Sequence, residues 1–231
     1  MINANLSAFS VGKAVGRGGG AQNWSYSGNA EIIRTNAKGG TTDGTNYYII
    51  TNDSSWIVKY NSSWTEDIRF FAGGPDQGLT WDGTYLRALD GDGSVKTFNT
   101  SGTQISAENF VISGGPSSGW AGIVYGDNGY WACNSGANRV YRLNASGVVQ
   151  SSFLTSPDDY SPSGLAYDGT YLYFFGPWSD KIFQTSTVGV RTGVEIDVSS
   201  QTGNGEGMFS DNGTLWLVSR NPDKAFQYTK S

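Results

Sequence analysis

The 231-residue chain has no histidine and a single cysteine. Without histidine there is no Ser-His-Asp triad, no Cys-His pair and no His-ligated metal site. One thiol, Cys133, leaves nothing for an internal disulfide, and on an aromatic stretch it reads as a small buried hydrophobe. Positive charge is also scarce: 15 Lys and Arg stand against 20 Asp and Glu, a net −5. The broad positive field that gathers nucleic acid or anionic lipid is therefore missing. No apolar run approaches the roughly 18 residues a membrane helix needs, so no membrane insertion is expected. Prolines number six and aromatics reach 14%, which excludes disordered and collagen-like chains. The first ten residues are too polar for a secretory signal, so synthesis in the cytoplasm without export is expected.

Gly, Ser, Thr and Asn are abundant, 97 residues or about 42%, a composition that favours turns and strands. Within it a phrase recurs five times, beginning at Gly39, Gly78, Gly122, Gly164 and Gly207 and reaching an aspartate at Asp43, Asp82, Asp127, Asp168 and Asp211. Its spacings of 39, 44, 42 and 43 residues match one four-stranded propeller blade. Each phrase reads as a short apolar strand ending in an Asp-Gly or Asn-Gly hairpin, so the aspartates are read as turn residues. A second strand follows each, aromatic and β-branched, as in Tyr47-Tyr-Ile-Ile-Thr51 and Tyr171-Leu-Tyr-Phe-Phe175. A third and a fourth complete the unit. The fifth repeat ends after its third strand, Ala225 to Tyr228, and Glu31-Ile-Ile-Arg-Thr35 is available to supply the fourth. The fold expected is all-β: a five-bladed β-propeller of four-stranded antiparallel blades over residues 29–231, its ring closed by an N-terminal strand in the C-terminal blade.

The third repeat, with Tyr130-Trp-Ala-Cys133, Asn138-Arg-Val140 and Ser146-Gly-Val148, resembles an NHL-type propeller repeat, which implies a propeller with a binding role. Ligand residues are sought on the loops that enter the first strands and join the second to the third. Rings beside carboxylates and amides suit sugars, because rings stack on apolar sugar faces while polar groups bond hydroxyls. The candidates are Gln77, Trp120, Tyr160, Trp178, Asp180 and Glu206, and the opposing reading is that the rings pack between blades. Asp76, Glu206 and the Asp158-Asp159 pair are the carboxylates that a glycosidase would need to converge. Asp90-Gly-Asp92 resembles a fragment of a calcium loop but lacks the downstream ligands, and is read as a turn. No metal and no cofactor are expected.

Residues 1–28 lie outside the ring and contain Lys13 and Arg17 but no acid. They are read as an anchoring arm that meets other subunits of an assembly through Ile2, Leu6, Phe9, Lys13 and Arg17. Small size, composition and such an arm are similar to bacteriophage tail, fibre or decoration proteins. That resemblance implies a non-enzymatic virion component made in the host cytoplasm and displaying a propeller to a surface glycan or protein. A free lectin-like propeller, or a glycan- or lactone-processing enzyme, are the alternatives.

Overall fold

The structure, a computed structural model, describes residues 23–32, 36–157, 159–201 and 203–230. Twenty strands form five four-stranded antiparallel sheets. β1 (Trp24–Glu31) is taken up below. Blade I is β2 (Ala37–Thr42), β3 (Tyr47–Thr51), β4 (Trp56–Tyr60) and β5 (Glu66–Phe71). Blade II is β6 (Gly78–Trp81), β7 (Leu86–Leu89), β8 (Ser94–Phe98) and β9 (Phe110–Val111). Blade III is β10 (Trp120–Gly126), β11 (Gly129–Asn134), β12 (Arg139–Asn144) and β13 (Val149–Leu154). Blade IV is β14 (Gly164–Tyr167), β15 (Leu172–Gly176), β16 (Lys181–Thr185) and β17 (Arg191–Asp197). Blade V combines β18 (Gly205–Asp211), β19 (Thr214–Arg220) and β20 (Asp223–Lys230) with β1 as its outermost strand. The fold is the expected five-bladed propeller.

Its core is divided among the five interfaces between blades. Alternate residues of a middle strand go to opposite interfaces: Ile49 and Val58 pack against Phe209, Trp216 and Val218 of blade V. Tyr48, Ile50 and Ile57 pack against Leu79, Leu86 and Phe98 of blade II. Both faces of every blade are thus buried, which is why the second strands read as unbroken apolar runs and not as alternating ones.

The five hairpins show why aspartate recurs. In blades I, II and IV the Oδ1 of Asp43, Asp82 and Asp168 accepts two turn N–H groups, those of Thr45 and Asn46, Thr84 and Tyr85, and Thr170 and Tyr171. Oδ2 accepts from the side chain five residues on: Tyr48 at 2.7 Å, Arg87 at 2.6 Å and Tyr173 at 2.8 Å. The glycine after each aspartate takes a positive φ, +87°, +93° and +89°. Blades III and V use two-residue turns with positive φ at Asp127-Asn128 and Asn212-Gly213.

Burial would raise the Asp168 pKa, but bonds from Tyr171 N–H, Tyr173 OH, Lys230 Nζ and Thr170 N–H outweigh it and hold the carboxyl below its usual 3.8. A depressed carboxyl contributes stability above its unfolded value and loses it as pH falls through the folded one. Asp168→Asn is therefore expected to cost about 2 kcal/mol at neutral pH. Its deficit against the parent should shrink once the pH drops below 3.8. Denaturant unfolding at a series of pH values checks this, and a deficit independent of pH would contradict it.

One strand lies earlier in the chain than the sequence suggests. The ring is closed by Trp24–Glu31, which takes in only Glu31 of the expected segment while residues 33–35 lie outside the described residues, and this strand runs antiparallel to β20 from Trp24 opposite Lys230 to Glu31 opposite Lys224. The closing strand thus includes residues 24–28, which had been assigned to the arm. Fourth strands lie on the rim and are mostly solvated, as the exposure of β5, β13 and β1 shows. A polar Trp-Ser-Tyr-Ser-Gly-Asn-Ala sequence meets that need. Ile32 is instead buried, and its N–H donates to Asp223 O. The proposed arm contacts Ile2, Leu6, Phe9, Lys13 and Arg17 lie outside the described residues.

Candidate functional site on the loop face

Five glycines, the first of each repeat phrase, ring the axis. A Cβ on Gly39 would lie 2.9 Å from Leu79 N, on Gly78 3.0 Å from Ile123 N, and on Gly122 2.8 Å from Ser163 O. On Gly164 it would lie 2.9 Å from the Gly207 carbonyl carbon, and on Gly207 it would strike Lys38 O and Gly39 Cα. Each inner strand touches the next backbone to backbone, so only hydrogen fits. Below this ring Leu79, Ile123, Leu165 and Met208, all buried, plug the axis. Only about 10 Å³ is left on the loop side of the plug.

The residue preceding each ring glycine stands at the rim of the loop face: Lys38, Gln77, Ala121, Ser163 and Glu206. Two of these, on neighbouring blades, form an ion pair. Lys38 Nζ donates to Glu206 Oε2 at 3.1 Å, with side chains 15% and 14% exposed, and Arg220 Nε contacts Oε1 at 3.0 Å. Arg220 itself is 45% exposed. Gln77 Nε2 donates to Asp76 Oδ1 at 2.8 Å. Nearby, Asp90 is pushed above the ordinary carboxylate range by burial, with the Gly91 N–H opposing and the charges of Asp92 and Asp76 adding to it. Asp90 Oδ1 accepts Gly91 N–H and Asp92 Oδ1 accepts Ser94 N–H, the bonds of a turn. Among the described residues no group of three or more Cys, Asp or Glu is placed to hold a metal ion.

The six residues singled out from sequence do not form one site. Gln77 and Glu206 stand at the rim. Trp120 is 1% exposed, its Nε1 donates to Pro116 O at 3.0 Å, and its ring meets Tyr141 edge-on, so it is a core residue that presents no face to a ligand. Trp178 and Tyr160 are exposed, 77% and 52%, on two loops that abut where Ser179 N–H bonds Asp159 Oδ2. Asp180, in left-handed backbone at φ +50°, accepts Val198 N–H through its carbonyl. Of the carboxylates considered for a glycosidase, Asp159 is buried in that loop contact, Asp76 holds Gln77, Glu206 holds two cations, and Asp158 lies outside the described residues. Cys133 is buried and its thiol is pushed up to about 12, as suits an inert core residue. Lys38 was missed as a partner of Glu206, although both sit one residue before a repeat glycine.

The chain matches no protein-family model, and no curated protein matches it significantly in sequence. Solved structures do share its fold. The glutaminyl cyclase of Myxococcus xanthus superposes with a TM-score of 0.72 at 14% identity, over 89% of this chain and 95% of the cyclase. Virginiamycin B lyase of Staphylococcus aureus gives 0.55 at 14%, over 90% and 100%. A chain of a nidogen/laminin complex gives 0.54 at 12%, over 79% and 72%. The likeness to NHL-type repeats therefore holds as shared propeller architecture. The expectation of a non-enzymatic chain is corrected: the fold is shared with a cyclase and a lyase along almost their whole lengths.

Proposed function

We propose that the chain is a propeller enzyme performing acid–base chemistry at an amide or ester carbonyl on the loop-face rim. Glu206 takes the proton and Lys38 steadies negative charge developing on oxygen. The observation that supports this reading is the Lys38, Glu206 and Arg220 group, a largely buried ion pair at the mouth of the axis with one mobile-length, half-exposed cation over it. A substrate that displaces Arg220 frees Glu206 Oε1, while Lys38 stays on Oε2. The cyclase likeness brings one substrate class, a peptide with an N-terminal glutamine. Its α-amine nitrogen bonds to the side-chain amide carbon as that carbon's bond to nitrogen breaks. Glu206 accepts the amine proton and passes it to the departing ammonia.

Ammonia release from an N-terminal glutaminyl peptide tests this. The parent chain should turn over, and Glu206→Gln, which keeps the shape but can neither take a proton nor accept from both cations, should lower the rate by roughly 10²- to 10⁴-fold. No release by the parent, or release undiminished in the variant, would refute the reading. The exposure of Trp178 and Tyr160 favours a second one, in which the loop face recognises a surface glycan or protein and residues 1–22, upstream of the closing strand, anchor the chain within a virion.

A further inference from the structure

The opposite end of the axis carries a larger cavity, about 100 Å³, between the plug and the five hairpins. All five blades line it, through the last residues of the inner strands. Leu79, Ile123 and Met208 form its floor and also bound the small loop-side space, so it is a dead end and not a passage.

Its walls are polar by construction. Pairs Tyr125 with Tyr130 and Ser210 with Leu215 come one step before the pairs that close two-residue hairpins, and Thr42 and Tyr167 one step before the Asp43 and Asp168 turn bonds. Ladder alternation therefore turns the N–H and C=O of these residues away from their own sheets, toward the axis. Two such N–H groups have acceptors on the preceding blade: Trp81 N–H bonds Thr41 Oγ1 at 3.0 Å and Tyr125 N–H bonds Thr80 Oγ1 at 2.9 Å. Ser210 Oγ donates to Tyr167 O across another junction. Val124, Ala166 and Phe209 occupy the threonine position in the other blades and offer no such acceptor. Thr41 and Thr80 are 7% and 3% exposed, and with their oxygens already accepting, their protons are left to donate.

Trp81, Tyr125 and Tyr167 stand half-buried among these groups. The tyrosines are fixed in advance, Tyr167 by its bond to Asp127 Oδ1 at 3.0 Å and its 4.9 Å contact with Trp131, Tyr125 by an edge contact with Tyr130. The surrounding hairpins carry five aspartates, against which Arg87, Arg142 and Lys230 are already engaged with Asp82, the Asp127 carbonyl and Asp168. That balance disfavours an anion. We infer that the hairpin-face funnel binds the end of a neutral sugar, its hydroxyls meeting the inward N–H, C=O and threonine groups and its apolar face meeting the rings.

Amide shifts of the ¹⁵N-labelled full chain test this during titration with methyl glucoside, methyl galactoside and N-acetylglucosamine. At least one sugar should give saturable shifts at Thr42, Trp81, Tyr125, Tyr167 and Ser210 with millimolar affinity. Trp81→Leu should weaken binding about tenfold or more, and Trp178→Ala on the other face should leave it unchanged. Absence of saturable shifts with all three sugars, shifts centred on Gln77 or Trp178, or full affinity in Trp81→Leu would overturn the inference. If Trp81→Leu does not fold, the shift map of the parent decides alone. The two faces are separated by the plug, so failure here is distinct from failure of the Glu206 chemistry.

Discussion

A chain carrying Gly207→Val is expected to lose its cooperative fold. The Cβ would meet the carbonyl oxygen of Lys38 and the Cα of Gly39, which are backbone atoms of the next inner strand and cannot swing aside as a side chain would. Overpacking that a core can relax costs about 1 to 3 kcal/mol. Here relief requires opening the ring, because Gly39 itself abuts Gly78, Gly78 abuts Gly122, and the series returns to Gly207. A loss beyond about 4 kcal/mol is a large part of the 5 to 15 kcal/mol available to a typical domain. Gly169→Ala is the matched control: its site is open, with nothing within 4 Å, but its φ of +89° leaves a backbone penalty of about 1 kcal/mol. Urea unfolding of both variants separates steric closure from turn strain. A Gly207→Val midpoint equal to that of Gly169→Ala would mean that the ring is not a hard constraint.

The same glycines show what was legible in the sequence. Their recurrence at blade spacing identified the propeller, and the aspartate-glycine pairs located the hairpins, because turn chemistry and repeat length are local properties of the chain. Why the first glycine recurs was not legible, since its neighbour is the next repeat some forty residues away. The rim pair follows the same logic. Lys38 and Glu206 are 168 positions apart in sequence but one interface apart in the ring, and only register relative to the glycines relates them. Trp120 reads as a ligand ring because it stands on an entry loop, yet the Pro116 carbonyl and Tyr141 draw it inside. The hairpin end was no more legible, since the hydroxyl and aromatic residues one or two positions before the turn aspartates line a common cavity only where the five repeats converge.

Removal of the closing strand should be as damaging as the glycine substitution, by a different route. A chain beginning at Asn23 keeps β1 and should fold, whereas one whose native sequence begins at Ile32 leaves β20 as an eight-residue open edge. Trp24, packed edge-on 5.7 Å from Tyr173 and touched by Lys230 over its face at 5.1 Å, goes with the strand, as does the Glu31 to Lys224 ion pair at 2.8 Å. The exposed pair contributes little. Burial of the tryptophan contributes roughly 1.5 to 3 kcal/mol, and the lost ladder adds to it. More consequential is the edge itself, since β20 carries buried Ala225, Phe226 and Tyr228 among polar residues and would offer its unpaired N–H and C=O row to a second copy. Size-exclusion chromatography and thermal unfolding of the two truncations distinguish the outcomes: a monomer with an unchanged transition from Asn23 onward, and aggregated or non-cooperative material from Ile32 onward. If the shorter chain is monomeric with the same transition temperature, the ring closes without β1, and the pairing of Trp24 to Glu31 with β20 contributes no more than cover for an edge that the propeller can leave open.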